Sequence, residues 1–503
     1  EELWLVYVLP RNTAKVFGKT ALKRIQVDQP QFRTSDIFFN GRQPSDARVA
    51  IVRSADGQKV YSVLESRFDD FVRELSVYVR IATISAHGAK FQEGADATRK
   101  ILESHGAKVR LLPEEGGPPV VVGEIEEDPK LPWIILYNHY DVQPVDPLDE
   151  WTTDPFEPVL RDGKLYARGV DDTKGTAVAE AFAGEAIRDV HGALPVNVRF
   201  LLDGEEEMGS PHMLLFADAH PELFKGLGAT IEAANHTIDG RPSLSLGSKG
   251  ILSVEIECRT ADVDQHSSLA TVIPNPAWRL SASLRTVRSE SGKILIPGFT
   301  DGVPPPDPEI LRYLRKNTFD PLVYRDTYGV REVMGGRTKY QRLKHHMYGT
   351  TCTIDGIWSG YTGEGHKTVN PAVAHAKLDF RLLPGQRPDA IFDKLVAHLQ
   401  AKGFGDLKVE KHSVFEPASS SIHERFPQAI LAAVREVYGT EPNVFPWSAG
   451  SSTPWYFTRV GTPAPHPPGV GYTRSRAHAP NEHIRLDDAR RAIKGMAGMI
   501  MAL

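Results

Sequence analysis

The chain has 503 residues, of which 41% are hydrophobic and 24% charged, with a formal net charge of −5; this is the balance of an ordinary soluble globular protein of about three domains. The mild negative charge and the lack of any basic run exclude a general nucleic-acid surface. Two cysteines, Cys258 and Cys352, exclude a disulfide framework and permit a reducing compartment, and no apolar run approaches the roughly 18 residues of a membrane span.

A cytoplasmic protein with no membrane partner is therefore expected. Because the sequence starts at Glu1 rather than Met, a signal peptide cleaved ahead of it stays open. Residues 1–66 read as an N-terminal extension of unassigned role, with strand-like stretches at 3–9 and 49–52 and no catalytic grouping. From Arg67 the pattern turns helical: Phe68, Phe71, Val72, Leu75 and Val79 recur at helical spacing. Residues 95–105 form a second amphipathic helix, with Gly106 placed to cap it. Strand-like runs follow at 109–112, 120–125, 133–137, 196–202 and 227–232, and an alanine-rich helix starts near Lys174. This alternation predicts an α/β domain. After Gly250 the texture changes. Residues 251–258 and 374–383 alternate apolar and polar, while 274–287 and 390–400 are helical, which predicts a small α+β domain inserted over 248–414. Helices over 426–437, before Gly439, and over 487–501 close the chain.

Charged residues gather where the apolar runs end. His139 and Asp141 follow the run 133–137, and Asp203, Glu205, Glu206 and Glu207 follow 196–202. Asp171-Asp172-Thr173-Lys174-Gly175 stands just before the alanine-rich helix. Ligand sites in open α/β sheets lie beyond the carboxyl ends of the strands, so these clusters are expected to converge. His139, Asp172, Glu206, Glu207, Glu232 and His478 are candidate metal ligands or catalytic acids. Imidazole nitrogen with carboxylate oxygen suits zinc, and also manganese or cobalt. One carboxylate can bridge two ions, which polarise a carbonyl and activate a shared water. Singly, each signal is weak. A histidine beside a strand is usually structural, and His236 and His466 are read that way. What points to a site is the repeated placement of acids directly after buried runs.

In combination the motifs resemble those of the two-metal peptidases that include carnosine dipeptidase, aminoacylase, glutamate carboxypeptidase and the acetylornithine and succinyl-diaminopimelate deacylases. HYDVQP at 139–144 resembles their H-x-D signature, ARGVDDTKG at 167–175 their R-G-x-x-D-x-K-G, and EEMGS at 206–210 their E-E-x-G-S. GYTGEGHKTVNP at 360–371, DFRLLPGQ at 379–386 and AHAPNEH at 477–483 resemble later blocks. The resemblance runs from about Arg67 to the end and leaves residues 1–66 outside. It implies a catalytic domain (67–247 and 415–503) with a mixed, largely parallel sheet flanked by helices, and an inserted lid through which the protein forms a homodimer.

The resemblance also implies roles. His139 would bind the first ion, and Asp141 would hydrogen-bond that imidazole and fix its tautomer. Asp172 would bridge two divalent ions, zinc foremost. Glu206 would be the general base, and Glu207 and His478 would bind the second ion. Glu232 would be the remaining ligand, with Asp239 as a nearby competitor. QHSSL at 265–269 resembles a block whose histidine reaches into the partner subunit's site, so His266 would stabilise the oxyanion there. Arg381, Thr368, Ser452 and Asn275 fall where the substrate backbone or carboxylate is held; read alone, Arg381 would instead pair with Asp379.

The implied activity is metal-dependent hydrolysis of a C–N amide or peptide bond by a metal-bridging water. A dipeptidase or carboxypeptidase-like enzyme acting on short peptides with a free carboxylate fits best. An N-acyl amino acid deacylase is the alternative, and a non-catalytic binding protein on the same fold is a remote one, disfavoured by the retained ligand set. Departures from the family pattern are Asn138 before His139, Ser268 and Thr271 in place of glycines, Asn370 in place of an apolar residue, and the turn Gly450-Ser451-Ser452. None removes a metal ligand, and all bear on substrate choice.

Overall fold

The computed structural model describes residues 55–113 and 116–503; the strands expected at 3–9 and 49–52 lie outside them. Helices α1 (Ala55–Ser66), α2 (Phe68–Tyr78) and α3 (Phe91–Ser104) lead into a five-stranded sheet. Its strands are β1 (Lys108–Leu112), β2 (Val120–Ile125), β3 (Trp133–His139), β4 (Asn197–Asp203) and β5 (Gly228–Ile231), in the order β1-β2-β4-β3-β5. The sheet is mixed, as expected: β4–β3 and β3–β5 run parallel, while β1–β2 and β2–β4 run antiparallel. A short apolar run reads the same in either orientation, so the sequence pattern does not separate them.

Both faces of this sheet are buried, which explains the unbroken apolar runs. Ile134 and Leu136 of β3 enter one core, with Phe200 and Leu202 of β4. Ile135 and Tyr137 enter a second, with Leu201 and Ile231. The first core is roofed by the alanine-rich α4 (Lys174–His191), by α9 (Arg425–Tyr438) and by α10 (Leu486–Met501). Alanines along α4 let it lie close to its neighbours, and it is buried through most of its length. The stretch 55–66, assigned on sequence to the extension, is α1; its Val60, Tyr61 and Leu64 are buried in the same core.

A second, antiparallel sheet carries the inserted region. Its strands are β6 (Gly250–Arg259), β7 (Thr353–Ser359), β8 (Val373–Leu382) and β9 (Lys408–Phe415), ordered β7-β8-β6-β9. Alternate residues Leu252, Val254, Ile256 and Cys258 of β6 face α5 (Pro276–Val287) and α8 (Pro388–Ala401) in a separate core. Two helices within this region do something different. Ile310 and Leu314 of α6 (Pro308–Lys316) and Leu343 and Met347 of α7 (Lys339–Tyr348) are buried in the first core, not the inserted one. Among the described residues no helix is long and apolar enough to cross a membrane.

Candidate active site

The carboxyl ends of the parallel strands carry the site. His139 is the last residue of β3, paired in register with Asp203 at the end of β4, so its backbone is held in the ladder rather than in a loop. Glu232 follows β5 directly and donates its N–H to the Tyr137 carbonyl, 2.9 Å. Asp172 ends the loop before α4, and its peptide bond to Thr173 is cis. A β-carbon on Gly175 would run into the Val170 carbonyl, so a glycine lets this loop fold back on the first turn of α4.

Asp172 is the centre of the cluster. His139 Nε2 lies 3.1 Å from Asp172 Oδ1, and His478 Nε2 lies 2.8 Å from Asp172 Oδ2. His478 Nε2 is also 3.1 Å from Glu207 Oε2. Donor atoms of His139, Asp172 and Glu207 fall within 4.8 Å of one another, and so do those of His139, Glu206 and Glu232. Sequence reading named all six of these residues, and the structure brings them together. Asp239 does not compete: it is exposed in the turn, where Thr237 donates to it.

The charges explain what the cluster is for. Burial, with Glu232 beside it, pushes the Glu206 carboxyl well above the usual carboxylate range. Burial likewise raises Glu232 to about 7, although His139 pulls it down. Hydrogen bonds with Asp172 and Glu207 push His478 up to about 11. Burial would depress His139, yet Asp141 and Asp172 hold it well above its ordinary value. Five carboxylates thus crowd two imidazoles in a desolvated place, and divalent cations relieve that repulsion. The donor set fits: imidazole nitrogens flank both oxygens of one carboxylate, and Glu232 Oε1 is buried with no hydrogen-bond partner among the described residues.

Asp141 holds more than its expected imidazole. Its Oδ1 lies 3.2 Å from His139 Nδ1. The same carboxylate accepts the backbone N–H groups of Glu206 at 3.2 Å and Glu207 at 3.1 Å. One side chain therefore fixes a histidine and the whole glutamate pair.

Two holding residues escaped sequence reading. Gln143 Nε2 donates to Glu207 Oε2 at 2.9 Å. Glu482 is fully buried and accepts from Arg168 Nη1 (2.7 Å) and from the backbone N–H groups of Gly169 (3.0 Å), Asp171 (2.9 Å) and Asp172 (3.2 Å). It sits in the A-H-A-P-N-E-H block, so the motif carried the signal without naming its partner. Glu482→Gln must turn an amide N–H toward one of those donors, which loosens the Asp172 loop. Metal affinity is expected to fall by roughly 10- to 100-fold, the usual scale for a residue behind a ligand, and titration with a metal-buffered chelator measures it.

The remaining expected residues, apart from Ser452, lie on the inserted region. Arg381 of β8 donates from Nη1 to Ser451 Oγ, 2.8 Å, and makes no ion pair with Asp379 among the described residues. In the residue after Ser451, the Ser452 Oγ is buried with no partner among the described residues. This end of the sheet abuts the glutamate loop. Ile251 pairs with both Arg381 and Phe415, and the Phe415 ring lies 3.4 Å from where a Gly209 β-carbon would stand. By contrast, His266, Thr368 and Asn275 cluster with one another and, among the described residues, make no hydrogen bond or ion pair with the cluster around Asp172. His266 pairs with Val369, and Ser267 donates its N–H to the Thr368 carbonyl. Asn275 is occupied structurally: its Oδ1 caps α5 through Ala277 and Trp278, and its Nδ2 donates to Asn370 at 2.9 Å. His236 also has a structural place, between the Gly471 carbonyl and the Tyr438 hydroxyl.

The model of peptidase family M20/M25/M40 matches residues 135–502. The chain belongs to this family. Like other M20 peptidases it is a metal-dependent hydrolase of peptide bonds. It is 30% identical over 412 residues to the beta-Ala-His dipeptidase of Homo sapiens, which covers 77% of this chain and 81% of that protein. It is 28% identical over 468 residues to the Cys-Gly metallodipeptidase of Schizosaccharomyces pombe, covering 87% and 96%. Among solved structures, an M20 metallo-carboxypeptidase from Sulfolobus solfataricus superposes with a TM-score of 0.81 at 35% identity, over 86% of this chain and 98% of that one. Human carnosine dipeptidase 1 does so with a TM-score of 0.72 at 28% identity, over 89% and 99%.

Proposed function

We propose that this M20 enzyme is a dipeptidase that cleaves short peptides ending in a free carboxylate and works with two divalent cations, zinc foremost. The observation that carries the reading is Asp172, with an imidazole on each of its oxygens and three glutamates around it. His139, Asp172 and Glu232 would hold one cation, and Asp172, Glu207 and His478 the other. When bound, such cations polarise the amide carbonyl and make water a stronger acid. Everything else is done by the chain. Glu206 accepts the proton of the attacking water and returns it to the departing amine nitrogen. Asp141 keeps the His139 ring and the Glu206–Glu207 backbone in place meanwhile. Arg381 and Ser452 hold the substrate carboxylate at the lid end that touches the glutamate loop.

Hydrolysis of a panel by the zinc-, manganese- or cobalt-reconstituted protein tests this. Dipeptides are expected to be cleaved faster than N-acyl amino acids, and the reverse order would make the enzyme a deacylase. The dipeptidase names of the mammalian and yeast relatives support the first outcome.

His266 belongs to this reading through a second copy of the chain. It is exposed, its Nδ1 is tied to Ser268 at 2.8 Å, and the neighbouring Val263, Leu269, Val272 and Trp278 are exposed apolar side chains. A two-fold homodimer would carry each His266 into the other chain's site. Inactive His266→Ala and Glu206→Ala chains, when mixed, should then regain activity, because one site of the mixed dimer has both residues intact. A fully active monomer by light scattering would exclude the arrangement.

A further inference from the structure

Glu180 is a fully buried acid in the interior of α4, and the reaction as described does not use it. Its Oε2 accepts from Asn138 Nδ2 at 2.7 Å and its Oε1 from Thr230 Oγ1 at 2.9 Å. Asn138 and Thr230 are fully buried as well. No lysine, arginine or histidine pairs with this carboxyl among the described residues, and burial pushes it up to about 8 against the pull of the two hydrogen bonds. Such a group is a costly filling for a core. Apolar side chains at all three positions would occupy a similar volume without dehydrating a polar group.

The position of the trio gives it a use. Asn138 immediately precedes His139 at the end of β3. Thr230 stands two residues before Glu232, at the end of β5. Glu180 lies about two turns along the helix that Asp172 leads into. The ladder between β3 and β5 has its last pair at Tyr137 and Ile231, so His139 and Glu232 both stand just past it. One carboxyl therefore cross-links, beside that open end, the three elements that carry His139, Glu232 and Asp172. A further tie runs the same way: the His139 N–H donates to Thr173 Oγ1, at the head of α4, at 3.3 Å. Asn138 is also one of the departures from the family pattern expected to bear on substrate choice; its side chain is occupied inside the fold instead.

We propose that Glu180, through Asn138 and Thr230, is a positioning residue for the cation held by His139, Asp172 and Glu232, fixing the spacing of those three ligands. This rests on the two-cation reading above and adds to it a part that touches neither cation nor substrate. Ligands on separate elements keep their distances only if the elements cannot slide. A buried hydrogen-bonded bridge has defined directions and resists sliding more than apolar packing does.

The test uses the full chain, metal-free and loaded with cobalt. The triple variant Glu180→Leu, Asn138→Leu, Thr230→Val replaces the bridge with apolar side chains of similar size and leaves no member unpaired. Its metal-free form is expected to melt at or above the wild-type temperature. One of the two cobalt-binding steps, read with a metal-buffered chelator, is expected to weaken by about 10-fold or more, with a shifted visible absorption spectrum, while the other holds. The weakened step should persist in a His478→Ala background, which disables the second cation's site. Glu180→Gln rebuilds the bridge without the charge: its carbonyl accepts from Thr230, and its amide N–H can turn to Asn138 Oδ1, which has no partner among the described residues. It should restore both binding steps. If the trio only fills the core, the triple variant will shift the melting temperature and leave both steps as they are, and the proposal is overturned. Glu180→Gln that binds as weakly as the triple variant overturns it too, because the charge and not the bridge would then matter. Should the triple variant fail to fold, Thr230→Val decides, since it removes one bond at constant shape: a several-fold weaker step at His139 and Glu232 supports the proposal, and unchanged binding overturns it. Wild-type protein that takes up fewer than two ions would overturn the two-cation reading itself, and Glu180 with it; two ions in wild type with unchanged binding in the variants overturns Glu180 alone.

Discussion

Glu206→Gln is expected to leave both cations bound and to cut turnover by roughly 100-fold or more, the scale of a lost general base. Glutamine preserves the shape of the side chain and its neutral form, and it removes the ability to take a proton. The backbone of residue 206 stays pinned by Asp141 whatever the side chain. Asp172, Glu207, Glu232 and both histidines remain to hold metal. Because Glu206 lies within ligand distance of His139 and Glu232, metal analysis is the essential companion to kinetics. Two ions per chain with slow turnover is the expected result. Loss of one ion would make Glu206 a ligand, and near-normal turnover would remove it from the chemistry.

Arg381→Ala should cost roughly 2–4 kcal/mol in transition-state binding on free-carboxylate substrates, the range for truncating one side of a charged pair. Arg381→Lys should recover little, because an ammonium group cannot copy the two parallel donors of a guanidinium. Matching C-terminal amides should suffer much less from either change. The geometry makes the arginine available for this role: among the described residues its side chain donates to Ser451, a neutral hydroxyl. Comparison of kcat/KM for acids and amides on wild type and both variants measures it. Wild-type enzyme that hydrolyses amides as readily as acids would end the carboxylate-clamp idea.

The site was legible in the sequence because its residues sit at the ends of buried apolar runs, and such runs are local. His139 and Glu232 follow from β3 and β5, and Asp172 from the loop into α4. What holds them was not legible. Glu482 reaches Asp172 from 310 residues away, and nothing in the composition around it announces a buried carboxylate with four donors. The edge strands β7 and β9 were missed because exposure along most of their length erases the alternation that marked β6 and β8. The inserted domain was found as a composition shift, which hid the fact that α6 and α7 inside it serve the other core.

That excursion has a mechanical meaning. A domain spliced into a loop is joined to its host by two strands of chain, and it can swing like a door on a pair of hinge pins. Here the polypeptide passes between the two cores four times: before β6, between Phe299 and Ile310, between Met347 and Cys352, and between β9 and Ile422. Each extra tether removes freedom of rotation, and the Trp447 indole fastens the third one further by donating to the Met347 carbonyl at 2.6 Å. The inserted sheet is thus braced on more sides than a two-stranded junction requires. On the dipeptidase reading, recognition by a braced insert would draw less on closure driven by the ligand and more on a site already set to size, which suits short substrates with few contacts to offer.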